Sequence, residues 1–465
     1  MSREQKLFKN TIVLAIGTFV PKLTALVTLP LLTGHLNTQD YGSYDLIMTL
    51  AALILPIGTL QIQTAAFRFL IDKRKSDKYI TEIISGILAF SVPISVVILA
   101  CLFAFIPISG VLEKLIICIY FFADMLLNTA RQITRGLSKN LSYSISTIIS
   151  AVGNVLFALV LVAVFDMGLN GAVISMTLAD ISAFVFLMFK SGLWKHIDFS
   201  KVNKKSLIHM ISYSWPMVPN SLGLWVMSAS DRLVISAVMG VSANAIYAVA
   251  NKIPQLLTTA QSTFTMAWQE SASLAADDTD KGEYYSRMFG TMYNFYVGCF
   301  GALIGFTPIL FKVLIKGNYD AAYYQMPILF FGVFFNCLTA YLGGIYIAHK
   351  RTKSVGVTTV AAAVTNLIID VMFVHKIGIY AASVSTFVSY FLLFLFRMAD
   401  VQKIVHLKIS YKQVVGLLLI LIAESGLCYL RVPALDGFNL VFGCGMFIVL
   451  NHSMVMQIVK TVLKR

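Results

Sequence analysis

Charge is scarce in this chain. Only 12% of its 465 residues are Asp, Glu, Lys or Arg, about half the share found in a soluble domain. That shortage excludes a soluble enzyme held by a single anchor. Cysteine is sparse too. Cys101, Cys118, Cys299, Cys337, Cys428 and Cys444 all lie in apolar runs with no close pair. They read as small packing residues, not as a disulfide framework or a metal set. The seven histidines are scattered, and there is no phosphate-binding Gly loop and no nucleophile triad. The segments on one side of the spans are only a few residues long, too short for a catalytic domain. The expectation is a protein that is not an enzyme and has no cofactor.

What the chain does have is apolar length. It is 58% hydrophobic, with a mean hydropathy of +0.80. Fourteen apolar runs of about 20–30 residues are each long enough to span a bilayer as a helix. They cover 8–33, 41–71, 79–106, 112–137, 141–165, 168–190, 207–238, 244–273, 284–314, 321–348, 354–374, 378–398, 412–430 and 438–459. The fold class is therefore an all-α polytopic membrane protein of about 14 transmembrane helices. The basic start Met1–Lys9 leads directly into the first run, which reads as a spanning helix and not a removed leader.

The formal charge of +14 invites a nucleic-acid reading, but the placement of the charges opposes it. Of the 36 Lys and Arg, 27 fall on the side of the N-terminus, 5 on the other side and 4 inside runs. The larger group includes Lys73, Arg74, Lys75, Arg397, Lys460, Lys464 and Arg465. This positive-inside bias puts both termini in the cytoplasm and turns the basic residues toward the inner leaflet.

An internal repeat divides the chain. Gly168-Leu-Asn-Gly-Ala-Val-Ile-Ser175 matches Gly378-Ile-Tyr-Ala-Ala-Ser-Val-Ser385, and each follows a run carrying an Asn, Asn154 or Asn366. A weaker match sets Tyr44 opposite Tyr247. The expected organisation is an N-lobe over 1–195 (runs 1–6), a cytoplasmic loop over 196–206, a C-lobe over 207–400 (runs 7–12) and two further helices over 401–465. Parallel repeats of this kind place a substrate site between rocking lobes.

Nine charges lie within the runs: Lys22, Arg68, Asp124, Asp180, Asp231, Arg232, Lys252, Asp370 and Glu424. Facing lipid at mid-depth, together they would cost on the order of 25 kcal/mol, more than the ~5–15 kcal/mol net stability of ordinary folds. Most must face inward. Lys22, Arg68, Arg232 and Lys252, with Arg131, are the candidates for a cationic lumen suited to an anionic passenger. Asp124 and Asp180, near mid-membrane, are candidates for binding H⁺ or Na⁺, or for pairing with a basic residue. Polar seams at helical spacing add Gln61 in the second run, Asn128 in the fourth, Asp231 beside Arg232, and Gln255 one turn after Lys252. Asp370 and Glu424 read as interfacial or pairing residues.

Several short motifs carry a family resemblance: Leu29-Pro-Leu-Leu32, Asp40-Tyr-Gly-Ser-Tyr44, Ala65-Ala-Phe-Arg-Phe69, Asp231-Arg-Leu-Val-Ile235 and Ile246-Tyr-Ala-Val-Ala-Asn-Lys252. With them the chain resembles the bacterial repeat-unit flippases for O-antigen, capsule and exopolysaccharide. These belong to the multidrug/oligosaccharidyl-lipid/polysaccharide exporter superfamily. The resemblance implies alternating access in the bacterial cytoplasmic membrane and a polyprenyl-diphosphate-linked oligosaccharide as passenger. It also implies polysaccharide polymerase and glycosyltransferase partners, and no nucleic acid. Arg68, Arg232 and Lys252 fall within these motifs; Lys22 does not. A lipid II flippase and a multidrug/cation antiporter of the same superfamily are the alternatives. Two of the four deep basic residues are lysine, which lacks the bidentate fork of arginine, and this favours the repeat-unit reading over lipid II.

Overall fold

The computed structural model describes residues 3–72, 76–105, 110–452 and 456. The inner-side charges Lys73, Arg74, Lys75, Lys460, Lys464 and Arg465 lie outside these residues, as does the end of the last apolar run. Among the described residues the secondary structure is helical throughout, with sixteen α-helices.

Two compact units divide the chain, Met1–Ala229 and Ser230–Arg465. The first holds α1 (Arg3–His35), α2 (Thr38–Thr59), α3 (Ile62–Asp72), α4 (Asp77–Phe105), α5 (Val111–Gly136), α6 (Asn140–Ala158), α7 (Gly168–Lys190) and α8 (Lys204–Ser214). It also takes the first half of α9 (Met217–Met239). The second unit holds the rest of α9, then α10 (Val241–Leu274), α11 (Lys281–Leu314), α12 (Asp320–Ala348), α13 (Thr352–Ile377), α14 (Tyr380–Ile404), α15 (Tyr411–Tyr429) and α16 (Pro433–Leu450).

Each of the fourteen apolar runs is met by one helix or by a helix pair. Among the described residues ten helices are long and apolar enough to cross a membrane, or eleven if the bent pair Lys204–Gly223 and Ser228–Met239 is one span. The remaining runs correspond to α1, α5 and α10, and the latter two carry the Asp124–Arg131 seam and Lys252.

Two runs expected as single helices are broken. The second divides at Leu60 and Gln61, both left-handed with φ of 45° and 56°. Pro56 lacks an N–H and weakens the last turn of α2. Gln61 then restarts the chain: its carbonyl accepts from the Thr64 N–H at 2.8 Å and from the Thr64 hydroxyl at 2.7 Å. The seventh run breaks at Pro216, which has no N–H to continue the helical ladder, although Trp215 before it keeps the α conformation with φ of −57° and ψ of −34°. The matched glycines of the repeat serve the same local need. Gly168 and Gly378 have φ of 54° and 61°, a region that L side chains enter only at a cost.

In the first unit the core is aliphatic. Ile62, Ala66 and Leu70 of α3 pack with Ile83 and Ile87 of α4, Leu127 of α5 and Leu187 of α7. In the second unit it is aromatic: Trp268 stacks on Tyr341 with centroids 4.4 Å apart and donates its indole N–H to the Tyr341 carbonyl at 2.8 Å. The outside of the bundle is apolar as well. Val357, Val360, Val364, Ile368 and Val371 form an exposed stripe along α13, spaced as one helical face. In a spanning protein such a stripe is the face turned to lipid.

Arg397 of α14, an inner-side charge by sequence, is buried. Its Nε donates to Thr358 Oγ1 at 3.1 Å and its Nη1 to the Thr339 carbonyl at 2.9 Å. Its Nη2 reaches Thr359 Oγ1 at 2.9 Å and the Val355 carbonyl at 3.3 Å. One guanidinium therefore ties α12, α13 and α14 together through neutral acceptors.

Candidate functional site

Each unit contains a polar cluster, half-buried around Asp124 in the first and buried around Asp231 in the second. In the first unit, the spacing of 4 and 3 places Asp124, Asn128 and Arg131 on one face of α5. Asn128 donates to Asp124 Oδ1 at 2.8 Å and to its carbonyl at 2.9 Å. Arg131 reaches Ser146 of α6, with Nη2 3.2 Å from the carbonyl and Nε 3.4 Å from the hydroxyl. Asp180 of α7 is buried and accepts from the Ser150 hydroxyl at 2.6 Å. Asp124, Asp180 and Arg131 lie close enough to act on one another electrostatically. One guanidinium within electrostatic reach of two carboxyl groups leaves the cluster one positive charge short, a charge that a proton or a small cation would supply.

The second unit holds a tighter arrangement. Asp231 of α9 is buried and accepts from the Tyr247 hydroxyl at 2.6 Å and the Thr386 hydroxyl at 3.0 Å. The Asn366 amide fits its surroundings with nitrogen toward Asp231 Oδ1 at 2.9 Å and oxygen toward the Thr386 N–H at 3.2 Å and the Ser385 hydroxyl at 3.1 Å. Asp370 of α13 is fully buried, neither of its oxygens accepts a hydrogen bond among the described residues, and its carboxyl meets that of Asp231. Two carboxyl groups so placed require a proton or a cation between them, because like charges in a low-dielectric interior repel strongly.

The other sequence candidates are spread along the helices. Lys22 on α1 and Arg68 on α3 have exposed side chains. Gln61 sits at the α2–α3 break, where its Nε2 donates to Ser221 Oγ at 2.9 Å. Arg232, Lys252 and Gln255 are half-buried on α9 and α10. The structure thus joins Asp124, Asn128, Arg131 and Asp180, and it gives Asp231 the partners Tyr247, Asn366, Asp370 and Thr386. Those four partners were not among the site residues picked from sequence. The repeat did carry a signal: Tyr44, matched to Tyr247, lies beside Asn154, matched to Asn366, and within electrostatic reach of Asp45 and Asp180. In both units the matched tyrosine lies near a buried aspartate.

Among the described residues, no group of three or more His, Cys, Asp and Glu is placed to hold a metal. Asp231, Asp370, Asn366 and Thr386 offer only oxygen donors and the Asn amide nitrogen, a set that suits a proton or a hard monovalent cation and not a soft metal.

The sequence matches the model of the polysaccharide biosynthesis protein family over residues 7–271, more than half of the chain. No curated protein matches it. Among solved structures, a lipid II flippase MurJ in an inward closed conformation aligns with a TM-score of 0.71 at 15% identity, covering 96% of this chain and 100% of that one. An inward-facing multidrug resistance MATE family transporter of the MOP superfamily aligns with a TM-score of 0.61 at 13% identity, over 82% and 98%. A MOP superfamily transporter from Pyrococcus furiosus aligns at 0.57 and 13%, over 84% and 94%. At these identities the likeness establishes the fold, and the family model establishes the lineage: the chain belongs to the polysaccharide biosynthesis protein family and has the all-α fold of the multidrug/oligosaccharidyl-lipid/polysaccharide exporters.

Proposed function

We propose that this transporter flips a polyprenyl-diphosphate-linked oligosaccharide repeat unit from the inner to the outer leaflet of the bacterial cytoplasmic membrane, by ion-coupled alternating access. The observation that carries this reading is the presence of Lys22, Arg68, Arg232 and Lys252 inside membrane runs of a polysaccharide biosynthesis family member. Leaving water costs a diphosphate heavily unless cations and hydrogen-bond donors replace its hydration. Each unit brings basic side chains of its own for that purpose, while the polyprenyl tail stays in lipid. Glycosyltransferases on the cytoplasmic side would supply the substrate, and a polymerase on the far side would consume it.

Ion coupling belongs on this reading to the buried acids. The Asp231–Asp370 pair is the stronger candidate and the Asp124–Arg131–Asp180 cluster the second. Loading of a proton or Na⁺ changes the charge of a buried cluster that bridges α9, α10, α13 and α14. A change of that kind biases a two-state transporter when the two states bind the ion unequally.

A second reading, lipid II as substrate, is favoured by the full-length alignment with the lipid II flippase. Reconstituted vesicles decide between them. A lipid-linked oligosaccharide labelled on its sugar is followed by its accessibility to a membrane-impermeant reagent, with labelled lipid II run in parallel. Oligosaccharide flipping, lost on combining K22Q, R232Q and K252Q, is the expected result. Undiminished flipping by the triple variant would sink the cationic-lumen reading, and faster flipping of lipid II would replace the substrate.

A further inference from the structure

Glu424 stands apart from both clusters, in α15, outside the repeat. It is 2% exposed, and neither carboxyl oxygen accepts a hydrogen bond among the described residues. Its recess is built by two glycines on two other helices. A Cβ on Gly443 of α16 would lie 2.7 Å from Glu424 Oε1 and 2.4 Å from the Gly301 carbonyl oxygen. A Cβ on Gly301 of α11 would lie 3.1 Å from Glu424 Oε2. Any other residue at Gly443 would fill the space that the carboxyl occupies. Glu424 Oε1 and the Gly301 carbonyl oxygen thus both border the space left by the missing Gly443 side chain. Two acceptor oxygens that share a space away from water repel, unless a hydrogen lies between them.

Among the described residues no cation pairs with the carboxyl. The basic residues of α11 are Lys281, Arg287 and Lys312, near its ends. Lys412 on α15 is twelve positions away, about 18 Å along the helix. Arg431, beyond α15, is committed elsewhere: it pairs with Asp320 at 3.2 Å and stacks over Tyr323 at 4.1 Å. The other titratable groups of the seam helices are Glu283, Tyr284, Tyr285, Tyr293, Tyr296 and Cys299 on α11, Tyr411, Cys428 and Tyr429 on α15, and Asp436 and Cys444 on α16. Of these, Cys428 meets the Tyr323 hydroxyl of α12 at 3.0 Å, and none brings a positive charge. Beside the seam, Phe300, Ile304, Phe330, Phe331, Phe334 and Leu421 close together with no room for a water, so that side offers no polar atom either.

We propose that Glu424 is a proton-binding site: it holds one proton in the α11–α15–α16 seam, with the hydroxyl directed at the Gly301 carbonyl. An ionised carboxylate here would have neither water nor counter-charge, and a buried charge without either is not tolerated. A metal cation fits the seam poorly. It needs several oxygens, only one carboxyl is present, and the Asn439 amide nitrogen is already turned to the Glu424 carbonyl at 3.0 Å. The site does not depend on what the transporter carries, since the seam lies within one unit and its proton is held without a passenger.

The full-length protein in lipid vesicles, without substrate, tests this. Dicyclohexylcarbodiimide adds to a protonated carboxyl in an apolar setting: the acid proton moves to a carbodiimide nitrogen, the carboxylate oxygen bonds to its carbon, and rearrangement leaves a stable N-acylurea. Peptide mapping should find that adduct on Glu424 at neutral pH. Infrared difference spectra should show a protonated-carboxyl C=O band that E424Q removes and D370N does not. E424Q, neutral like the protonated acid, should keep the wild-type unfolding temperature, whereas E424K should lose it. Absence of the adduct together with no band lost in E424Q would overturn the proposal. So would protection of Glu424 by Na⁺ at constant ionic strength, which would make the occupant a metal cation. An E424Q protein as unstable as E424K would overturn it as well, because the native residue would then be charged.

Discussion

The two acids of the second unit should respond unequally to the same neutral substitution. Asp231 receives three donors: the Tyr247 hydroxyl at 2.6 Å, the Thr386 hydroxyl at 3.0 Å and the Asn366 amide at 2.9 Å. Asn at 231 has a single acceptor oxygen, and its NH₂ must face at least one of those donors. A buried donor left without an acceptor costs about 1–3 kcal/mol. Asp370 receives no donor and faces Asp231. Asn at 370 donates to Asp231 and relieves the repulsion, so D370N should be neutral or stabilising. An asymmetry of about 2 kcal/mol corresponds to roughly 4–8 °C in a unit of this size. Thermal unfolding of the purified protein reads it directly. Ligand linkage supplies the second arm. An ion that binds only the folded state at a hundred times its Kd adds about 2.7 kcal/mol. Wild-type stability should therefore rise with Na⁺ at fixed ionic strength if the occupant is Na⁺. It should rise as pH falls if the occupant is a proton, because the folded state then binds more protons than the unfolded one. D370N should abolish that rise. Equal unfolding temperatures for D231N and D370N, with the ion response intact in both, would refute the pairing of the two acids.

Other substitutions test the scaffold. Arg397→Lys trades a five-donor fork for three compact donors and leaves acceptors on α12 or α13 unmet, a loss of about 2 kcal/mol; hydrogen exchange should quicken in α12–α14 first. Gly378→Ala forces an L side chain to a φ of 61° and should cost about 1–2 kcal/mol, seen as a lower unfolding temperature. Gly443→Ala puts a methyl 2.4 Å from the Gly301 carbonyl, an overpacking of about 1–3 kcal/mol, and should loosen α16 against α11 in cysteine cross-linking. Trp225→Phe removes the indole donation to the Thr49 carbonyl at 2.9 Å and should destabilise the first unit by about 1 kcal/mol, measured by the same unfolding assay.

Much of this molecule is written in its hydropathy. Run length gave the spans, because a bilayer admits only segments whose backbone bonds are satisfied internally. The breaks at Leu60 and at Pro216 were less visible, since apolar content continues through both. Asp124, Asn128 and Arg131 are legible as one face because they share one helix, where spacing fixes the face. Asp231, Asn366 and Asp370 were harder: they come from α9 and α13, and only tertiary packing brings them to one point. Asp370 in particular read as an interfacial or pairing acid with no partner named, because depth along a span says nothing about which neighbour a side chain meets. The repeat held the missing hint in its Tyr and Asn positions, which occupy comparable polar surroundings in both units.

The Arg397 clamp also bears on how the chain is made. A ribosome delivers α12, α13 and α14 to the membrane in sequence, and the arginine arrives last, while its acceptors at Thr339, Val355, Thr358 and Thr359 are already in place on the two earlier helices. Inserted alone, α14 would carry an unsatisfied guanidinium at a cost of up to about 3 kcal/mol. Inserted beside its predecessors, it docks at once. Biogenesis of these three spans is thereby biased toward assembly as a unit, and a chain truncated before Arg397 would leave that unit unclosed.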